Sequence, residues 1–310
     1  MIKKVLITGV AGFIGSNLAD RLLAEGYEVV GIDSLDYGPK EQISKGVKFF
    51  NLDILSKDIY PVFKGVDTVF HLAAKNSIVD CQKDPVGTAE INVVGTVNVL
   101  LAASKAKVRK VINAETSAIY EGSKVFPTPE EDEHPQSFYA SSKVATKFFA
   151  QSFARFHKLN IVALRYMNVY GPRQDYRRTV PPVMSGIIVK LSQEKRPVIY
   201  GNGSKRRDFI YIDDVNDFHI LAMKDKRADG KTFNLGGGKN YSVLEIYKMV
   251  SKILKTNIKP IFKLDQEGEA KQNLGDISKA RKLGWEPKTS LEEGLKHSIE
   301  YIKEKVLSTL

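Results

Sequence analysis

Residues 3–15, KKVLITGVAGFIG, constrain the fold more than any other stretch of this chain. A short apolar run breaks at Gly9, Gly12 and Gly15, three apart, and an amphipathic segment, SNLADRLLAEGY, follows at once. That order predicts strand, tight turn, helix. Glycine takes positive φ at a sharp turn and lets backbone N–H groups approach a ligand with no Cβ in the way. The helix that follows turns unpaired N–H groups and the positive end of its dipole toward the turn, where the usual occupant is a phosphate. The spacing is TGxxGxxG rather than GxGxxG, and we read it as the pyrophosphate cradle of a dinucleotide site. The next apolar run, EVVGID, ends in Asp33, eighteen residues past Gly15. A carboxylate there accepts hydrogen bonds from an adenosine ribose and repels a 2′-phosphate, which favours NAD over NADP.

Apolar runs alternate with helical patterns through the first half: VLIT, EVVGID, VKFFNLD, DTVFHLA, KVINAET and NIVALRYMN, with long helices predicted near 85–104 and 138–157. Unbroken apolar runs suit parallel strands covered on both faces, so the expected class is α/β, a Rossmann-like doubly wound parallel sheet. The pattern changes after Asn168. YGPRQDYRRTVPP reads as a functional loop, a helix is predicted over 183–193, and FIYIDD, VNDFHILAMK and TFNLG form a strand-helix-strand set. The last seventy residues read as mostly helical. We expect residues 1–168 plus 208–236 to form a dinucleotide-binding domain. Residues 169–207 plus 237–310 then form a smaller domain of interleaved segments, with a cleft between the two.

At 310 residues, 43% apolar and 27% charged, the chain has the make-up of a globular protein with a proper core. The net charge of +11 raises nucleic acid as a partner, but the lysines lie beside glutamates along helices, as in EEGLKHSIEYIKEK, rather than in a stripe with aromatics. A solvated lysine-rich surface, attractive to an anionic small substrate, is the preferred reading. No unbroken apolar run approaches the ~18 residues that cross a bilayer, and no signal-peptide pattern precedes the first strand. The single cysteine, Cys81, suits a reducing cytosol. No metal site is expected.

Tyr139 and Lys143, in YASSK, lie four apart at the start of a predicted helix and share a face. The spacing alone is common, since YxxxK also occurs at Tyr60, Tyr120 and Tyr301. Position singles out Tyr139: its helix follows the strand KVINAET, whose end delivers Thr116 to the same rim. An ammonium near a phenol favours the phenolate, which makes Tyr139 a candidate general base at neutral pH. Lys143 can also hold the nicotinamide ribose, and Thr116 can orient a substrate hydroxyl.

TGVAGFIG, the strand-end Asp33, Asp53 in NLDIL, HLAA at 71–74, Asn92 in INVVGTVNVL, Thr116 four before Tyr120, and YASSK together resemble the extended short-chain dehydrogenase/reductase family. The likeness continues through RYMNVYGPRQ, RRDFIYIDDV, FNLGGG and DISKARKLGWEPKTSLEEGL, so it covers essentially the whole chain. Within that family the chain is most similar to NAD-dependent nucleotide-sugar epimerases of the UDP-glucose 4-epimerase type. The resemblance implies that Gly9, Gly12, Phe13, Ile14, Gly15, Asp33, Asp53, Ile54, Leu72, Ala73, Ala74, Asn92 and Tyr166 line the NAD site with Tyr139 and Lys143. It implies Thr116, Tyr139 and Lys143 as the catalytic group, and Thr116, Asn168, Val183, Tyr200 and Arg207 as substrate contacts, with Arg207 a diphosphate clamp.

The implied activity is reversible C4 epimerisation of a UDP-hexose through a 4-keto sugar, with a dehydratase, decarboxylase or reductase on the same scaffold as the alternative and a non-catalytic NAD-binding protein as a third. Related dehydratases and decarboxylases carry a glutamate where this chain has Ala118, which disfavours elimination. Two departures stand out: Gln266 and Glu267 replace a usual arginine and proline, leaving a phosphate contact to another residue such as Lys271 or Arg173. Asn273 stands where the family often decides whether an N-acetyl group fits. Plain, N-acetylated and uronate hexoses all remain open. Helices 85–104 and 138–157 carry apolar residues on more than one face, Phe148, Phe149, Phe153 and Phe156 among them, so a homodimer is expected; the other reading turns them all to the sheet.

Overall fold

The unbroken apolar runs become parallel strands because both of their faces are covered. The computed structural model describes residues 3–177, 180–265 and 270–309. In chain order the strands are β1 (Lys4–Thr8), β2 (Glu28–Asp33), β3 (Lys48–Asn51), β4 (Thr68–His71), β5 (Lys110–Thr116) and β6 (Ile161–Tyr166). There follow β7 (Asn168–Tyr170), β8 (Val198–Tyr200), β9 (Arg206–Tyr211), β10 (Thr232–Leu235), β11 (Asn240–Ser242) and β12 (Ile261–Lys263).

Seven of them form one sheet in the order β10-β6-β5-β4-β1-β2-β3, parallel at every pairing. Along β1, Val5 and Ile7 enter one apolar core with Leu18, Leu22 and Phe218, while Leu6 enters a second with Val99, Leu100 and Phe153. Helices Phe13–Ala24 and Ile212–Lys224 thus cover one face, and Gly95–Lys105 and Phe138–His157 the other. This is the doubly wound sheet the sequence implies. The chain runs outward from β1 to β3 and then returns to β4, so strand order reverses between β1 and β4. Ligands of open α/β sheets bind in the crevice at such a reversal.

Local chemistry fixes the helix that follows β5. Ser137 Oγ accepts from Ala140 N at its start, and the Glu121 carboxylate accepts from the N–H groups of Gln136 and Ser137. The helix ends at Lys158 with φ 55°. Tyr139 therefore sits in a capped first turn, with Lys143 one turn further on.

Beyond the main sheet, β7, β9 and β11 form a three-stranded sheet, and β8 and β12 a pair. The strand of the FIYIDD segment, β9, therefore leaves the main sheet, although the helix after it packs against that sheet. It lies at a seam: Ile210 belongs to the first core, while Phe209 and Tyr211 join a third with Ile187, Ile246 and Leu295. The C-terminal segment is tied back at the same seam, where Trp285 Nε1 donates to the Asp214 carbonyl at 3.0 Å.

One helical run, Pro85–Lys105, is long and apolar enough by length and composition to cross a bilayer. It contains no long unbroken apolar run, because Glu90, Asn92 and Asn98 interrupt it. It includes Asn92, Val99, Leu100 and Ala103, all buried, as a core helix would.

Candidate active site

The glycine turn closes the C-terminal end of β1 with no room to spare. Gly9 has φ +77°, and a Cβ on it would lie 2.8 Å from the Ala73 backbone nitrogen; one on Gly15 would lie 2.1 Å from the Gly9 carbonyl oxygen. Gly12 begins the helix Phe13–Ala24 without a side-chain cap, so the first N–H groups of that helix face the turn. At the end of β2 the Asp33 carboxylate accepts from Ala11 N and Leu35 N, each at 2.9 Å. Burial pushes the Asp33 carboxyl above its ordinary value, and those two N–H groups oppose the rise. A backbone anion cradle beside a fixed carboxylate suits a dinucleotide that carries a free ribose diol. The residues present fit NAD.

This turn opens into a cleft of about 1170 Å³. Of the residues singled out from the sequence, Gly9, Gly12, Phe13, Ile14, Gly15, Asp33, Asp53, Ile54, Leu72, Ala73 and Ala74 line its one end. Thr116, Tyr139, Lys143, Tyr166, Asn168 and Arg207 line the remainder. Asn92, Val183 and Tyr200 do not line it. Asn92 lies behind the wall, accepting from Lys75 N at 2.8 Å and donating to Lys75 O and to Ser142 Oγ, each at 2.9 Å. It joins the segment after β4 to the helix that carries Lys143. Val183 starts the helix Val183–Ser192 and packs on the third core, and Tyr200 ends β8. Gln266 and Glu267 lie outside the described residues.

The central wall is set by strand register. Thr116, last in β5, pairs with Tyr166, last in β6. The Thr116 hydroxyl accepts from Ala118 N at 3.1 Å. Lys143 is 3% exposed, and its Nζ donates to the Ala114 carbonyl at 3.0 Å. Burial brings its ammonium down to about 8, and the Glu115 carboxylate opposes that fall. Tyr166 pairs through its hydroxyl with His219 Nε2 at 2.7 Å. Burial, with the neighbouring Tyr139, pushes the Tyr166 phenol well above its ordinary value, so it stays neutral.

A second buried histidine stands behind the wall. Thr96 Oγ1 donates to Asn92 O at 2.6 Å, so it accepts from His71 Nε2 at 2.9 Å, and His71 Nδ1 accepts from Thr8 Oγ1 at 2.7 Å. That chain assigns the Nε2–H tautomer. Burial and the nearby Lys143 hold His71 neutral, down to about 3.

At the far rim, Asn168 Nδ2 donates to the Asp208 carbonyl at 3.1 Å, and Asn273 Oδ1 accepts from Asp208 N at 2.8 Å. Arg207 of β9 thus shares its edge with two amides held by backbone groups, and all three line the cleft. Of the two candidates for the missing phosphate contact, Arg173 pairs with Asp20 at 2.6 Å, and Lys271 is exposed.

The sequence reading passed over one cluster. Arg165, 1% exposed, donates from Nε to Glu115 Oε2 at 2.7 Å and from Nη1 to the Tyr120 hydroxyl at 2.9 Å. It also reaches Glu133 and the Glu130 carbonyl, and Tyr120 donates to Asn234 Oδ1 at 2.7 Å. The signal was present: a carboxylate and a guanidinium, each inside an apolar strand run, have to be partners to be buried.

The model of the NAD dependent epimerase/dehydratase family matches residues 5–236. The chain belongs to that family. As an epimerase/dehydratase family member it is 34% identical over 317 residues to a UDP-glucose 4-epimerase of Mycolicibacterium smegmatis, covering 97% of this chain and 99% of that one. Its fold is similar to that of a UDP-glucose 4-epimerase of Thermotoga maritima solved with UDP-glucose (TM-score 0.94, 36% identity, 98% of this chain and 99% of that chain). It is also similar to a UDP-glucuronic acid 4-epimerase of Bacillus cereus solved with UDP-glucuronic acid and NAD (TM-score 0.90, 33% identity, 97% of this chain and 99% of that chain).

Proposed function

We propose that this family member is an NAD-dependent 4-epimerase of a UDP-hexose. The observation that carries the reading is the convergence in one cleft of Thr116, Tyr139 and Lys143 with the glycine turn that fits a dinucleotide. The turn and Asp33 would hold the diphosphate and the adenosine ribose, and Lys143 the nicotinamide ribose. NAD, when bound, supplies a reversible hydride acceptor, which lets the C4 carbinol pass through a ketone.

Tyr139, as phenolate, takes the proton from the C4 hydroxyl and later gives it back. Lys143 favours that phenolate by its charge, and Thr116 orients the hydroxyl between them. Arg207, with Asn168 near it, grips the nucleotide diphosphate at the far rim. Few groups then hold the sugar, so the ring can turn and present its other face. Inversion follows from that turn.

Ala118 supports epimerisation over elimination or decarboxylation, because it lines the cleft with no group to move a proton at a neighbouring carbon. The two carboxylates closest in sequence have other partners: Glu115 holds Arg165, and Glu121 accepts from Gln136, Ser137 N and Ser137 Oγ. On this reading residues 1–168 and 208–236 form the cofactor domain, and 169–207 and 237–310 the nucleotide-sugar domain. The single cysteine, Cys81, is buried and suits a reducing cytosol.

A homodimer fits the outer face of the helix Phe138–His157. Phe148, Phe149 and Phe156 are exposed there, and Val86 and Val94 on the neighbouring run. Exposed aromatics on one helix beside exposed aliphatics on the next are the composition of a helix-to-helix interface.

The test is direct. The protein is purified, denatured and examined for released NAD by absorbance, and then incubated with UDP-glucose, UDP-N-acetylglucosamine and UDP-glucuronate. The expected result is bound NAD and the C4 epimer of at least one sugar. Release of water or carbon dioxide in its place overturns the reading.

A further inference from the structure

We propose that Glu115, held in place by Arg165, is a positioning residue of this reaction: its carboxylate keeps Lys143 an ammonium inside the wall and so sets the pH range over which Tyr139 works. This rests on the acid-base roles given to Tyr139 and Lys143 above.

Lys143 is almost wholly buried, and its ammonium donates to a neutral group, the Ala114 carbonyl. A buried ammonium with only a carbonyl partner tends to lose its proton, since low-dielectric surroundings penalise the charged form. Yet the chemistry needs the charge, because a neutral amine does nothing for a phenolate.

The titratable groups around Lys143 come from five elements, its own helix included. His71 of β4 is neutral. Cys81, on the helix Ile78–Lys83, is a thiol whose burial pushes its ionisation up. Tyr139 shares the helix of Lys143, and Tyr166 of β6 is a neutral phenol. Glu115 of β5 remains, the residue directly after the carbonyl that Lys143 binds. Among the described residues it is the carboxylate that acts on Lys143.

Glu115 is itself 3% exposed, and a charge buried that deeply calls for a partner of opposite sign. Arg165 supplies it, pairing with Glu115 at 2.7 Å in register across β5 and β6. The rest of the guanidinium is turned away, toward Tyr120, Glu130 and Glu133. Lys143 binds the carbonyl of Ala114, so the next residue of the same strand is the negative member of that cluster.

Glu115→Gln tests this, since the amide oxygen can still accept from Arg165 Nε while the charge is gone. Loss of a nearby negative charge makes both the phenol and the ammonium stronger acids. The kcat–pH profile is expected to move bodily toward acid by about one unit, with a roughly tenfold lower rate on the alkaline side. Glu115→Asp, which keeps the charge, is expected to restore the native position. Glu133→Gln, which also weakens the hold on Arg165, is expected to leave the position unmoved. A uniform fall in rate with no shift would assign Glu115 a purely structural role and overturn the proposal.

Should Glu115→Gln fail to fold, Glu115→Met with Arg165→Met strands no buried ion, and a shift in the same direction is expected. A second readout needs no turnover: the tyrosinate absorbance attributable to Tyr139, taken as the difference between each protein and its Tyr139→Phe form, is titrated with and without the Glu115 change. An acid shift of that titration in a protein that epimerises no sugar would sink the proposed function and leave the charge role standing. An unmoved titration and an unmoved profile in an active enzyme would sink the charge role alone.

Discussion

Lys143 donates to the Ala114 carbonyl at 3.0 Å, which anchors the ammonium to the strand that ends in Thr116. Tyr139, Lys143 and Thr116, the proposed base, its electrostatic partner and the proposed hydroxyl-orienting residue, therefore share one wall made by the Phe138–His157 helix and β5. Catalytic groups on regular elements hold their geometry better than groups on loops.

The same burial has a cost in stability whose pH dependence can be worked out. The Lys143 ammonium falls from an ordinary 10.5 to about 8 in the folded protein. Between those values the unfolded chain binds the extra proton, so this group makes stability rise with pH across that window. Lys143→Met removes the buried charge. The variant is expected to be more stable than the parent below pH 8, by on the order of 3 kcal/mol, with the advantage gone by about pH 10 to 11. Chemical denaturation at neutral and alkaline pH measures both limbs, and the variant is expected to be inactive throughout.

Gly15→Ala places a Cβ 2.1 Å from the Gly9 carbonyl oxygen, a clash with backbone that no rotamer relieves. The turn has to open, at a cost of about 1–3 kcal/mol. The expected outcome is a protein with a lower melting temperature that purifies with far less NAD, read by the absorbance of the denatured supernatant.

Arg207, on β9, lines the same cleft as the glycine turn. Loss of a charge-assisted contact costs about 1.5–3 kcal/mol. Arg207→Met is therefore expected to raise KM for the UDP-sugar by about ten- to a hundredfold while the NAD content stays unchanged. Steady-state kinetics together with cofactor analysis separate the two effects. Equal loss of both would place Arg207 in the fold rather than at the substrate.

Tyr139→Phe keeps the ring and removes only the hydroxyl. General acid–base catalysis contributes about 10²–10⁴ in rate, so a loss of at least about a hundredfold in kcat is expected, with NAD still bound. Near-native turnover would remove Tyr139 from the chemistry.

Much of this was legible in the sequence because local chemistry and tertiary context agree. The run KVLIT ends at three glycines whose spacing only a tight turn onto a helix explains, and the structure closes that turn to any Cβ at Gly9 and Gly15. The helix of Tyr139 was legible as a helical pattern over 138–157, and the structure caps it with Ser137. Three things were not. The departure of β9 from the main sheet depends on pairing with β7 and β11, strands of three residues whose partners nothing local encodes. The inward turn of Asn92 depends on backbone groups of Lys75, 17 residues away. The Glu115–Arg165 pair spans 50 residues, and its meaning emerges only when β5 and β6 lie side by side.

The central claim is that the hydrogen on C4 leaves the sugar and returns to the same carbon on its opposite face. The UDP-hexose that the enzyme turns over, carrying deuterium at C4, tests it, with the products analysed by NMR and mass spectrometry, and a parallel reaction of unlabelled sugar run in heavy water. The expected result is the C4 epimer of that sugar with its deuterium still at C4 and no label taken up from solvent at any ring carbon. Washout of the label, or solvent deuterium at C3 or C5, would show that a carbon-bound proton is exchanged and would contradict this account.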